Sequence, residues 1–325
     1  MLSNLLSIAR RLRRSDSFKS LIAVRRRLSI KAEQRLNKGI FSIEIEARSG
    51  FFAVMQTILF ILAYCEENGL WPDISAKGGI YGDETATVDW FSLLFESVRT
   101  PQPAMARRLA DRSSIRTSKI RDNSELGFRS HYEMRLSLAQ ASNLFNAHYR
   151  PALNVVADVD SICNALGVSS ATLAVHYRGT DKVHEAGQVP WALLCESVER
   201  ISRQRPELTA ILLASDDVGF IEFFKNHPFR IPVICAPAAY MPKGSTPIHF
   251  SGHPGLAIGR EALVTCLLLA RCGFLIKTAS YLSGWAKILN PSLPVWLLSP
   301  QLGRGFFPDR ALWSDQVHGR ISFTS

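Results

Sequence analysis

With 325 residues, 47% of them hydrophobic and 20% charged, the chain has the composition of a soluble globular protein and the length of two ordinary domains, which excludes fibrous and disordered classes. Its six cysteines form no CxxC pair and lie mostly in apolar surroundings, so reduced, packed thiols of a cytoplasmic protein are expected, with no disulfide or zinc framework. The formal charge of +10 is concentrated: residues 1–38 carry eleven Lys or Arg against Asp16 and Glu33, and the rest of the chain is nearly neutral.

That basic arm also places Leu2, Leu5, Leu6, Ile8, Leu12 and further apolar residues at roughly helical spacing. Such a segment suits peripheral contact with an anionic membrane, at the inner face for a cytoplasmic protein. A basic helix packed on the body and an organellar targeting peptide are the other readings, and nucleic acid is the least supported partner. After the arm, "GIFSIEIEARSGFFAVMQTILFILAY" reads as strand, Gly-containing turn and long apolar helix, followed by a short extended segment ending near Ile74. This is a βαβ opening. Its apolar run from Phe51 to Tyr64 is too short to span a bilayer and is interrupted by Gln56, so a buried helix is expected. The stretch from Ala104 to Glu133 is charged and weakly periodic, which predicts an exposed region of loops and broken helices. One helical run is expected from about Tyr132 to Val156, and another to Leu166.

From Ala171 onward, apolar strands alternate with amphipathic helices: "ATLAVHYR", "LTAILLAS", "RIPVICA", "GFLIKTA" and "LPVWLLS" are the strands. The pattern predicts a parallel sheet covered on both faces, which binds its ligand beyond the carboxyl ends of the strands. The expected organisation is a basic arm (1–38), an N-terminal α/β domain (39–168) and a C-terminal Rossmann-like domain (169–325).

Charge gathers at those strand ends. "VHYRGTDKV" sets His176, Arg178, Gly179, Asp181 and Lys182 where one strand hands over to a loop; "SDD" sets Asp216 and Asp217 at the end of the next; "KTASYLS" sets Thr278, Ser280 and Ser283 at a strand-to-helix turn. A desolvated charge has to be paired, solvated or held for a ligand. An internal Arg–Asp or Asp–Lys pair and a core histidine are the plain alternatives. Taken together, hydroxyls and N–H groups at a helix N-terminus with an arginine beside them describe a pyrophosphate cradle in which Arg178 takes the place of a metal ion. His249 and His253 lie in a Gly/Pro loop that either folds over the nucleotide or is a plain surface loop, with no metal role expected. No P-loop or GxSxG element is present, so kinase and α/β-hydrolase readings lack support.

The motifs "VHYRGTDKV", "LLASDD" and "GREALVTCLLLARCGFLIKTASYLSGWAKILNP" resemble the three motifs shared by bacterial nodulation-type α1,6-fucosyltransferases and the animal core fucosyltransferase. Upstream, "ARSGFFAVMQTILFILAYCEENGLWPDI" and "VDWFSLLFESV" resemble the first half of the bacterial relatives, so the resemblance runs from about Ile40 to Pro300. It implies a GT-B-like fold of two Rossmann-like domains, the second a doubly wound parallel sheet carrying the nucleotide-sugar site. It also implies GDP-fucose as donor, a saccharide acceptor, inversion at the anomeric carbon and no metal. By the resemblance Arg178 holds the β-phosphate, Ser280 assists it, the His176 region contacts guanine, and Asp216 and Asp217 bind the donor sugar or order Arg178 and Lys182. Glu185 falls near the family's candidate base. Two departures stand out: Thr265 occupies the place of a guanine-reading aspartate, and Gly179 the place of a second arginine in the animal motif. Thr265 keeps open a transferase for a different nucleotide sugar, or a non-catalytic nucleotide-sugar-binding protein.

Overall fold

The computed structural model describes residues 36–179, 188–240, 248–298 and 306–318. Within the N-terminal half, β1 (Ile40–Ala47) buries almost every residue. It is the middle strand of a parallel sheet in the order β2-β1-β4, flanked by β2 (Trp71–Gly79) and β4 (Ser118–Ile120). Helix α1 (Phe51–Glu67) returns the chain from β1 to β2 and buries residues on all sides, among them Phe52, Met55, Gln56, Leu59 and Leu62. A helix apolar all round has to be enclosed by protein.

The following segment differs from expectation in two places. The charged stretch contributes α3 (Pro103–Ala110) and also β4, whose Ser118 and Ile120 are buried, because that strand completes the sheet beside β1. The single helical run from Tyr132 to Val156 is instead α4 (Arg129–Arg135), α5 (Leu138–His148), strand β5 (Tyr149–Pro151) and the start of α6 (Leu153–Leu166). Ser137 and Gln140 form a capping box that begins α5 afresh, and Pro151 cannot continue a helix. Strand β5 pairs antiparallel with β3 (Phe95–Ser97), directly after the short α2 (Trp90–Leu94).

The C-terminal half is the doubly wound sheet that the alternation predicts. Its five parallel strands run β10-β9-β6-β7-β8, with β6 (Thr172–Tyr177) central, β7 (Ala210–Ser215) and β8 (Val233–Cys235) to one side, and β9 (Phe274–Lys277) and β10 (Val295–Leu297) to the other. Alternate residues of β6 face opposite layers. Leu173, Val175 and Tyr177 join Leu194 of α7 (Trp191–Gln204) and Phe220 of α8 (Val218–Asn226). Ala174 faces the layer of α9 (Gly255–Arg271) and α10 (Tyr281–Leu289). That second layer is continuous with the core of the N-terminal half, since Phe52 packs on Trp285 and Trp285 on Phe145.

A last helix, α11 (Asp309–Val317), closes on β10, where Gln316 accepts from the N–H of Leu297 at 3.0 Å and donates to its carbonyl at 3.2 Å. Among the described residues no helix is long and apolar enough to cross a membrane; the basic arm up to residue 35 lies outside them.

The two halves come into close backbone contact where α9 meets the turn after β2. A Cβ on Gly255 would overlap the carbonyl oxygen of Ile80 and come within 3.0 Å of the Tyr81 Cα, and one on Gly259 would lie 3.1 Å from the Tyr81 ring. Forcing a methyl group against fixed backbone costs about 1–3 kcal/mol. Gly255→Ala is therefore expected to lower the urea midpoint of unfolding with little change in slope; an unchanged midpoint would show that this contact is not tight.

Candidate functional site

Both sheets change direction at a strand that the chain leaves on opposite sides. In the C-terminal sheet this switch lies between β6 and β9, and in the N-terminal sheet between β1 and β4. Ligands of open parallel sheets bind outside the carboxyl ends at such points. Here the two switch points open on one cavity of about 590 Å³. Ser49 and Gly50 reach it from the end of β1, Asp122 to Ser124 from the end of β4, Arg178 from β6 and Ser280 from β9. The first residues of α1 and of α10 also line it, so two helix N-termini bring positive ends to the same space.

Arg178 is held from two sides. Its backbone N–H donates to Thr278 Oγ1 at 2.9 Å, tying β6 to β9 across the switch, and its Nε donates to Asp216 Oδ2 at 3.0 Å. The other oxygen of Asp216 accepts from the Gly179 N–H at 3.0 Å. Asp216 thus orients the guanidinium and the backbone that follows it, and the Arg178 side chain remains one-fifth exposed toward the cavity. Asp217 turns the other way and caps α8, accepting from the Phe220 N–H at 3.0 Å, the usual role of an aspartate at that position.

Gly179 is required by space. A Cβ there would overlap an oxygen of Asp217 and lie 2.8 Å from both the Asp217 Cβ and the Tyr177 ring. The structure has no room for the second arginine of the animal motif.

The other predicted residues divide by placement. Ser280 lines the cavity as N-cap of α10, and its N–H donates to Asp309 Oδ2 at 2.8 Å. Thr278 is buried as the brace for Arg178. His176 is enclosed in β6 and its ring is not among the cavity walls. Burial first, then the nearby Lys277 and Arg178 charges, push its pKa down to about 3, so it is a neutral core histidine. Thr265 lies one turn beyond Ala262 on α9, half-buried and outside the cavity lining. Ser283 is buried in α10, and its hydroxyl has no hydrogen-bond partner among the described residues. Asp181, Lys182 and Glu185 lie outside the described residues. His249 lines the cavity with its ring 3.7 Å from where a Gly50 Cβ would stand, whereas His253 packs on Tyr240.

Several wall residues carry no sequence signal of chemistry. Tyr81 is one: buried beside Phe51, it receives the first N–H of α1, and burial raises its phenol pKa above the ordinary value while Arg178 and that N–H oppose the rise. Arg129 on α4 faces the cavity from the opposite half and is fixed by Glu133 at 3.1 Å. Phe306 comes from the segment before α11. The stretch "ARSG" sets an arginine and a glycine just past a strand end, as "YRG" does, and that parallel is the one signal that points to the β1 end.

The sequence matches no family model, and no curated protein is similar to it. Solved structures are similar in fold. Fucosyltransferase NodZ from Bradyrhizobium is 15% identical, with a TM-score of 0.53 over 81% of this chain and 98% of that one. NodZ α-1,6-fucosyltransferase co-crystallised with GDP is 16% identical, with a TM-score of 0.51 over 78% and 94%. The same enzyme soaked with GDP-fucose is 16% identical, with a TM-score of 0.50 over 81% and 99%. The parallel sheets, their order and these likenesses together establish that the chain has the fucosyltransferase-type fold, a mixed α/β architecture of the GT-B kind.

Proposed function

We propose that the protein is a glycosyltransferase that moves fucose from GDP-fucose to a saccharide hydroxyl with inversion and without a metal ion. The observation that carries this reading is Arg178, oriented by Asp216 and Thr278 at the switch point of the doubly wound sheet and lining the shared cavity together with the N-terminus of α10. The solved relatives that hold GDP or GDP-fucose support the choice of donor.

In the reaction the acceptor oxygen forms a bond to the anomeric carbon from the face opposite the diphosphate. The bond from that carbon to the β-phosphate oxygen breaks, and its electron pair stays on the leaving GDP. Charge grows on the diphosphate as the bond opens, so a fixed guanidinium and a helix N-terminus stabilise the transition state more than the ground state. A general base takes the acceptor proton; Glu185 is the candidate. The walls contributed by β1, β4 and α4, with Ser49, Asn123 and Arg129, form the acceptor side of the same cavity.

Four outcomes test the proposal. GDP is expected to raise the melting temperature more than UDP, ADP or dTDP do, because only a ligand of the native state stabilises it; a response selective for UDP would reject fucose as the sugar. Fucosyl transfer is expected to persist in EDTA, and recovery only with added Mn²⁺ or Mg²⁺ would reassign Asp216 as a metal ligand.

Arg178→Ala is expected to lower kcat by about 10²–10³-fold, and Arg178→Lys to recover little, since an ammonium lacks the planar fork. Near-normal turnover by a folded Arg178→Lys variant would remove Arg178 from this role. For Gly179, substitution by Arg is expected to abolish GDP binding in place of strengthening it, because the side chain must displace Asp217 and Tyr177; tighter binding in calorimetry would contradict the packing described above.

A further inference from the structure

Beneath the first turn of α10 lies an ion pair that the donor reading does not use. Lys277, the last residue of β9, donates to Asp309 Oδ1 at 2.5 Å, and both side chains are out of solvent. The second oxygen of Asp309 accepts the Ser280 N–H at 2.8 Å, so one carboxylate holds both the end of β9 and the N-cap of α10. Gly284 makes this approach feasible. A Cβ there would stand 2.8 Å from Asp309 Oδ1 and 2.5 Å from Pro308 Cγ.

We infer that Asp309, with Lys277 as its counter-charge, is the residue that positions the N-terminus of α10 for the donor diphosphate. The inference rests on the nucleotide-sugar reading of the cavity and adds to it a residue far from the strand-end motifs. A bare carboxylate at this depth would oppose an anionic ligand at the same helix end. Lys277 cancels that field, so Asp309 can grip the backbone of Ser280 without repelling the diphosphate.

The position of Asp309 is itself set by both halves of the molecule. Gln56 of α1 donates to the Phe307 carbonyl at 2.8 Å, and Arg310 donates to the carbonyls of Glu133 and Met134 at 3.1 and 2.8 Å. Phe306, in the same segment, forms part of the cavity wall. The segment that begins at Phe306 therefore sets α10 relative to the acceptor side of the cavity. Asp309 is a positioning residue: it acts through Ser280.

The test uses the full-length chain with Lys277→Met/Asp309→Asn and Lys277→Met/Asp309→Leu, both of which avoid an unpaired buried charge. Asn keeps an acceptor for the Ser280 N–H and Leu does not. GDP affinity is read by calorimetry, and hydrogen exchange of amides 278–284 is read in the same proteins without nucleotide. The Leu variant is expected to bind GDP about 10-fold or more weakly than the Asn variant, with faster exchange in the first turn of α10. Equal affinity and equal exchange in the two folded variants would overturn the inference, and Lys277→Met/Asp309→Ala replaces the Leu variant if that one does not fold. If the unmodified protein binds no GDP, the nucleotide-sugar reading fails, and exchange alone then decides: faster in the Leu variant supports the hold of Asp309 on α10, and equal exchange overturns it.

Discussion

The ion pair between Lys277 and Asp309 is enclosed on every side, and removing either partner would leave a bare charge in the core at a cost of about 3–5 kcal/mol. An apolar pair of similar volume would pack as well or better, so stability alone does not account for it. Its geometry does. One carboxylate meets the end of β9, the N-cap of α10 and, through the segment that carries it, the walls of both halves. The helix end that faces the cavity is held because one oxygen of the Asp309 carboxylate takes the Lys277 ammonium and the other the Ser280 N–H.

The same constraint governs the strand ends above. A buried parallel strand tolerates Arg178 at its end because Asp216 takes its Nε, Thr278 takes its N–H, and the side chain lies at the cavity wall, out of the core. His176, one pleat further in, cannot be charged there and is neutral. Between the two residues the environment changes from core to site. Gly179 stands at that boundary, where any side chain would collide with Asp217.

The cavity has two faces of different origin. One comes from the doubly wound sheet and carries Arg178 and Ser280; the other comes from the smaller sheet and carries Ser49, Asn123 and Arg129. Each sheet alone would leave its switch point open to water. Packing α1, α5 and α6 against α9 and α10 turns the two open edges toward each other, and the lower effective dielectric of the space between them strengthens every charge aimed into it.

By itself, the sequence determined the elements whose pattern is set by local burial. The fully buried β6, the all-round apolar α1 and the alternation of strands and helices after Ala171 are legible because period and composition report which faces are enclosed. Strand-end position alone brought Arg178 and Ser280 to attention. It did not separate them from His176, Thr278 and Asp217, which share the motifs but serve the core, a strand brace and a helix cap. Nor did it show β4 or the break at Ser137, since a three-residue strand has too few residues to display a period. Tyr81, Arg129, Phe306 and Asp309 were decided by tertiary structure alone. They reach the site from segments between 81 and 309, and a residue's distance along the chain carries no record of which charge it will meet once the two halves close on each other.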